Sequence, residues 1–286
     1  SEKMANYYCL MAGLPEINFS DTKPGCDMDE FLEQLHDALT HWDAKLMANY
    51  YFLLHDCRNL VAMLKDAEAE LKYPGKFTRE QYIDLITSAR ELNFNVHRYP
   101  VFMSEFARAW NFNKDKKGYF AEDEMLYLFY DYAIRTCSNA FVRSWYQLNM
   151  DINNILTAML ANKQGWKAAD FIKGEGEVQT MIRENNAKDF IKHVGMDNIQ
   201  ELKKIVEETD PVKKEKMIDT FKWLWLDEQT FFEPFNIDAV FAYMCKLEMQ
   251  YRWANLDVEH GKARFQQIID DLRGSARVPE EYKRKA

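Results

Sequence analysis

From Met28 to Leu64, apolar residues return every three or four positions, and little of the chain departs from that rhythm. Met28, Phe31, Leu32, Leu35, Leu39 and Trp42 make one series; Leu46, Tyr50, Leu53, Leu54, Cys57, Leu60, Val61 and Leu64 make a second. Residues three and four apart share one face of an α-helix, so each series is a stripe that a helix must bury. A strand needs apolar residues to alternate, and no convincing run of that period occurs. The expected fold class is all-α.

Punctuation supports the same reading. Asp27, three residues before Glu30, and Thr78, three before Gln81, have the pattern of a capping box, in which a short side chain accepts from free amides of the first turn. Asp43, Asp197 and Asp238 are further expected caps, and Asp210-Pro211 ends one helix and starts the next, because proline suits a first turn. A short helix is expected from Pro100 to Trp110. A longer one is expected over 121–160, broken near Ser138-Asn139, with Gly165 and Gly174-Glu-Gly176 interrupting the chain after it. An aromatic group (Phe221, Trp223, Trp225, Phe231, Phe232, Phe235) precedes a last long helix through Val240, Phe241, Met244, Leu247, Tyr251 and Leu256, which Gly261 and Gly274 punctuate.

With 286 residues and 47% hydrophobic side chains, the chain has ample material for a core. No apolar run reaches the ~18–20 residues needed to span a bilayer, and no basic stretch followed by an apolar one opens the chain, so no secretory signal is expected. Five scattered cysteines, none in a CxxC pair, read as reduced thiols of a cytoplasmic protein. A net charge of −9 argues against a general nucleic-acid or anionic-membrane binder. Lys283-Arg284-Lys285 reads as part of a solvated polar tail.

Two kinds of repetition are visible. MANYY occurs at Met4–Tyr8 and at Met47–Tyr51. Separately, three helical segments carry an asparagine followed by an aliphatic residue: Asn59-Leu60, Asn154-Ile155 and Asn255-Leu256, 95 and 101 positions apart, close to a third of the chain. Asp56 and Asp151 stand three residues before the first two asparagines, and Arg252 takes that place in the third. The first MANYY is out of phase with this period, so it reads as recurring helix-core composition, with Tyr7 and Tyr8 as packing residues. The implied segments are 1–75, 76–165 and 166–274, followed by the polar tail 275–286, the three segments together making one compact domain. Asp56, Asn59, Asp151, Asn154, Arg252 and Asn255 are the candidate structural or interface residues.

Catalytic signatures are sparse. Glu33-x-x-His36 has the spacing of a di-iron ligand pair, but such a centre needs a second pair and two more glutamates. The loop after Trp110 places Asn111, Asn113, Asp115 and Glu122 at calcium-loop positions one, three, five and twelve, yet Lys116 replaces the glycine of the sharp turn. Its acidic residues also suit an ordinary helix start. Gly174-Glu-Gly176 lacks the third glycine of a dinucleotide fingerprint, and there is no phosphate-loop or nucleophile-elbow motif. Asp56 and Asp151 remain open to either acid–base work or a structural role. No catalytic residue, metal or cofactor is expected.

The C-terminal helical segment brings in a family. Ile237-Asp238, Ala242-Tyr243, Glu248, Asn255-Leu256 and Gly261-Lys262, in that order, resemble the final long helix of the C subunit of V/A-type rotary ATPases, the counterpart of the eukaryotic d subunit. Asp151-Ile-Asn-Asn154-Ile resembles that family's middle helix, and the opening NYYCLMAGLPEI is similar to an uncharacterised bacterial branch associated with V-type ATPases in Bacteroidetes-like organisms. The resemblance implies three similar helical units in a pseudo-threefold funnel. It implies a non-catalytic rotor subunit that joins the central stalk to the membrane rotor ring on the inner face of the plasma membrane, for ATP-driven ion transport. The partners would be the central-stalk subunits and the ring, with no nucleic acid and no direct bilayer insertion. Asp56, Asp151 and Arg252 would tie helices together near the funnel. Two other readings stand beside it: a soluble α-helical adaptor with no role in ion pumping, and a metal enzyme on a helical bundle.

Overall fold

The computed structural model of the chain describes residues 2–91 and 98–255. Among them every regular element is helical, as the periodicity requires. Leu92, His97, Leu256, His260, Gly261, Lys262, Gly274 and the basic end lie outside the described residues.

The described residues fall into two compact units. One takes in residues up to Met47 and again from Asn139; the other is Ala48–Ser138. Packing divides the described chain in two, whereas the threefold reading rests on recurring sequence.

The unit Ala48–Ser138 contains a π-helical turn, Ala48–Phe52, followed by α4 (Leu53–Lys65), α5 (Arg79–Ala89), α6 (Val101–Asn113) and α7 (Ala121–Thr136). Helix α4 packs against α7, and α5 against α6. The apolar stripe of α4 puts Leu53, Cys57 and Leu60 wholly out of solvent, and α7, packed on α4, buries Phe129 and Ala133 as completely. Each of these leucines contributes about 2 kcal/mol of burial. Thr78 starts α5 with a complete capping box: its side chain accepts from the Gln81 amide, and the Gln81 side chain accepts from the Thr78 amide. Helix α6 runs three residues beyond the expected end at Trp110, so Asn111 and Asn113 belong to its last turn.

The other unit contains α1 (Glu2–Gly13), α2 (Met28–Ala38), α3 (His41–Met47), α8 (Ala140–Lys163), α9 (Glu177–Glu184), α10 (Ala187–Val194), α11 (Met196–Glu207), α12 (Pro211–Thr230) and α13 (Ile237–Ala254). Helix α13 is its most enclosed element, with every residue from Ala239 to Cys245 buried. Asp27 and Asp210 cap α2 and α12 as expected.

Three expected caps do other work. Helix α3 begins at His41, so Asp43 lies inside it, buried, accepting from Tyr7 and Thr40 hydroxyls while Thr40 accepts from the Asp43 amide. Asp197 sits in the first turn of α11, after Gly195. Asp238 sits in the first turn of α13, which Asn236 caps, and accepts from the Asn139 side chain. Each is an Asp one or two residues past the first residue of its helix, where a carboxylate still suits the positive end. The helix expected to run from Asp43 to a stop near Tyr73-Pro74-Gly75 is interrupted by the π-turn and ends earlier, at Lys65, with Asp66 as its C-cap. Helices α9 and α10, eight residues each, are additions to the sequence reading; they are too short for a periodicity to stand out.

The two MANYY copies are not equivalent. In the first, Tyr7 is buried and Tyr8 is 55% exposed. The second supplies Met47 to α3 and the remaining four residues to the π-turn, with Tyr51 buried.

Candidate functional site

Helices α4 and α8 are each followed by a 13-residue connection, 66–78 and 164–176, before the next α-helix. A connection this long carries backbone amides and carbonyls that need partners when it packs on a helix. In both cases the partners come from the Asp-x-x-Asn of the helix it leaves.

In the first, Asp56 is fully buried. Its carboxylate accepts from the amides of Lys76 and Phe77, both at 2.9 Å, and from the Tyr82 hydroxyl at 2.6 Å. Asn59, one turn on, donates to the Tyr73 carbonyl at 2.9 Å and to the Tyr82 oxygen at 3.2 Å. His55 Nδ1 lies 2.8 Å from the Pro74 carbonyl oxygen. The chain must approach closely for this, and Gly75 permits it: a Cβ there would sit 2.2 Å from Asp56 Oδ1. Burial pushes the Asp56 carboxyl above its usual range, against the Tyr82 hydroxyl, the two amides and the Lys76 charge.

In the second, the clamp passes to the asparagine. Asn154 Nδ2 donates to the Lys173 carbonyl and Asn154 Oδ1 accepts from the Lys173 amide, both at 2.8 Å. Asp151 accepts only side-chain amides, from Gln147 at 2.8 Å and Gln179 at 3.2 Å. Burial raises its carboxyl pKa too, opposed by those two amides and by His193. Gly176 lies against Gln179, where a Cβ would come 2.5 Å from Oε1, and its φ of +157° also favours glycine.

Arg252, the third position, acts differently. It donates to Asp219 of α12 at 2.5 Å, Trp253 Nε1 donates to the same oxygen at 2.9 Å, and Glu215 lies 3.5 Å from Arg252 Nε. Burial works against the guanidinium charge, but Asp219, Glu248 and Glu215 outweigh it and hold the group above its usual range. Trp223 and Trp253 stack beside this pair, with Lys246 over one ring and Lys216 over the other. Asn255 is the exposed C-terminal cap of α13.

Thus Asp56 and Asn59 act together on one loop, Asn154 alone holds the backbone of the other while Asp151 meets two glutamines, and Arg252 ties two helices without touching either loop. Asp219, Gln179 and Tyr82 are the residues that sequence reading missed. Only their placement one helix away from the named positions marks them, and that needs the fold.

The remaining motif candidates do not converge. Glu33 and His36 are exposed, with His36 beside Asp37. Asn113 of the calcium-like loop accepts from Lys116. Among the described residues no three His, Cys, Asp or Glu side chains gather in a way that could hold a metal ion, and all five cysteines are free. No helix among them is long and apolar enough to cross a membrane.

A family model described as "Protein of unknown function (DUF2764)" matches residues 4–275. The chain belongs to this family. The match covers both loop anchors, the Arg252–Asp219 pair and twenty residues beyond Asn255. No curated protein and no solved structure matches the chain.

Proposed function

We propose that this member of the DUF2764 family is a non-catalytic rotor subunit of a V/A-type ATPase, of the same kind as the C subunit and its eukaryotic d counterpart. It would couple the central stalk to the membrane rotor ring during ATP-driven ion transport, held peripherally at the inner face of the plasma membrane through the complex. The observation that carries this reading is the recurrence of one device: an Asp-x-x-Asn helix that fastens its own following 13-residue loop, at Asp56/Asn59 and at Asp151/Asn154. Recurrence of a structural detail at the sequence period supports repeated helical units, the architecture that the resemblance to those rotor proteins implies.

A torque-transmitting part needs stiffness more than chemistry. Loops fastened by buried polar networks, and aromatic pairs such as Trp223–Trp253 and Tyr50–Tyr132, limit the soft rotamers through which a load would dissipate. The buried carboxylates are engaged in holding backbone and helices, which leaves partner surfaces to carry the coupling.

The test is co-purification. The tagged full chain is expected to retain the central-stalk subunits and rotor ring from detergent-solubilised membranes and to hydrolyse no ATP alone. Retention of neither would overturn the rotor assignment in favour of the adaptor reading. Stoichiometric iron or zinc in the purified chain would instead point to the metal enzyme.

A further inference from the structure

Helix α12 passes into α13 through a short turn, residues 231–236, and half of that turn is phenylalanine. Phe231 is 73%, Phe232 88% and Phe235 37% exposed. Phe231 and Phe232 meet edge to face, with ring centroids 5.1 Å apart. Tyr8 of α1, itself exposed, packs on Phe235 at 4.7 Å. These rings offer on the order of 500 Å² of apolar surface to solvent, a size at which a patch marks an interaction site. The turn that presents them is held. Asn236 accepts from the Ala239 amide at 3.0 Å and donates to Glu233 at 2.8 Å, and the Thr230 hydroxyl donates to the Leu226 carbonyl at 2.8 Å. A surface fixed in this way loses little conformational freedom when a partner covers it.

The charge around the rings has one sign. Between Lys222 and Lys246 the chain carries Asp227, Glu228, Glu233 and Asp238 and no lysine or arginine. Asp227, Glu228 and Glu233 are exposed. Lys246 is committed elsewhere, paired with Asp227 and lying over the Trp223 ring. Burial pushes the Asp238 carboxyl above its usual range, against the Asn139 amide, and the Glu233 and Asp43 charges add to the rise.

This combination selects among occupants. Glu228 and Glu233 repel an anionic lipid surface, which draws in basic segments. A second copy meeting through the same turn would set these carboxylates against their own kind. A helix with an apolar face flanked by lysine or arginine satisfies both halves of the surface: its face covers the rings, and its bases meet the acids.

We infer that the α12–α13 turn is a docking surface for a basic amphipathic helix of a partner protein, with Phe231 and Phe232 as its anchors and Glu228 and Glu233 facing the partner's basic side chains. The inference stands apart from the rotor reading.

The test uses the full chain and a synthetic amphipathic helix of leucine and lysine, about 18 residues long, with a twin carrying glutamate for lysine. Fluorescence anisotropy reads the binding. Because the chain is net acidic, the site is read from the variants rather than from binding alone. Phe231→Ser/Phe232→Ser should weaken binding of the lysine peptide by about tenfold. Glu228→Lys/Glu233→Lys should weaken it by about as much and confer binding of the glutamate twin. All four positions are exposed, so the thermal unfolding of both variants should match the parent's. Failure of the parent to bind the lysine peptide overturns the inference, as does equal binding by parent and variants, or equal binding of the twin by the parent. Sedimentation of the parent with phosphatidylcholine or phosphatidylserine vesicles, lost in Phe231→Ser/Phe232→Ser, would assign the turn to a membrane instead. Self-association of the parent that the same variant abolishes would assign it to a second copy.

Discussion

The two anchored loops do one job by different chemistry. At 66–78 an ionisable group carries the clamp: the buried Asp56 carboxylate receives two backbone amides and a phenol, and Asn59 assists. At 164–176 a neutral amide carries it: Asn154 grips both the backbone N–H and the carbonyl of Lys173, while Asp151 meets only two glutamines. Equal residue types at equal spacing therefore do not mean equal load. What differs is where the returning backbone crosses the helix. The first loop crosses at the level of Asp56, where Gly75 lets it close in, and the second crosses one turn later.

This contrast makes graded expectations. Asp56→Ala removes the acceptor for two amides and a phenol at once, and should cost about 4 kcal/mol in urea unfolding. A loss as small as that of Asp151→Asn would erase the distinction. Gly75→Ala places a methyl group against a carboxylate that cannot yield without releasing the loop, and should cost about 3 kcal/mol. Asn154→Ala loses both bonds to Lys173, at about 2 kcal/mol. Exchange protection at 170–176 should fall while 73–78 is unaffected, and if both loops loosened together the anchors would not be separate devices.

Asp151→Asn should have the smallest effect, below about 1 kcal/mol at neutral pH, since the amide oxygen keeps an acceptor for Gln147 and Gln179. Its sign depends on pH. The folded carboxyl is held above its ordinary value by burial, so the native state keeps its proton where the unfolded chain has lost it. Its contribution to stability is greatest below the unfolded pKa and falls as pH rises through the folded one. Thermal unfolding of the parent from pH 4 to 7 should carry that decline, and the variant should lack Asp151's share of it. Identical pH profiles would show that Asp151 ionises as it does in water.

Much of this was legible beforehand. The helical periodicity gave the fold class, and Asp27, Thr78 and Asp210 gave helix starts, because a cap depends only on neighbours in sequence. Asp43, Asp197 and Asp238 misled because an acidic residue favours the whole first turn, so its presence locates a helix start only to within a turn. The spacing of Asp56/Asn59 and Asp151/Asn154 marked them as a recurring pair, though it did not reveal which member held the loop.

Sequence by itself determined that this chain is helical, where several of its helices begin, and which polar residues ride on their buried faces, since these depend on neighbours within one or two turns. Tertiary structure alone decided what those residues hold. Tyr82 reaches Asp56, Gln179 reaches Asp151 and Asp219 meets Arg252 across gaps of 26 to 33 residues. A buried carboxylate specifies that it must have partners, but only the path of the returning chain selects them.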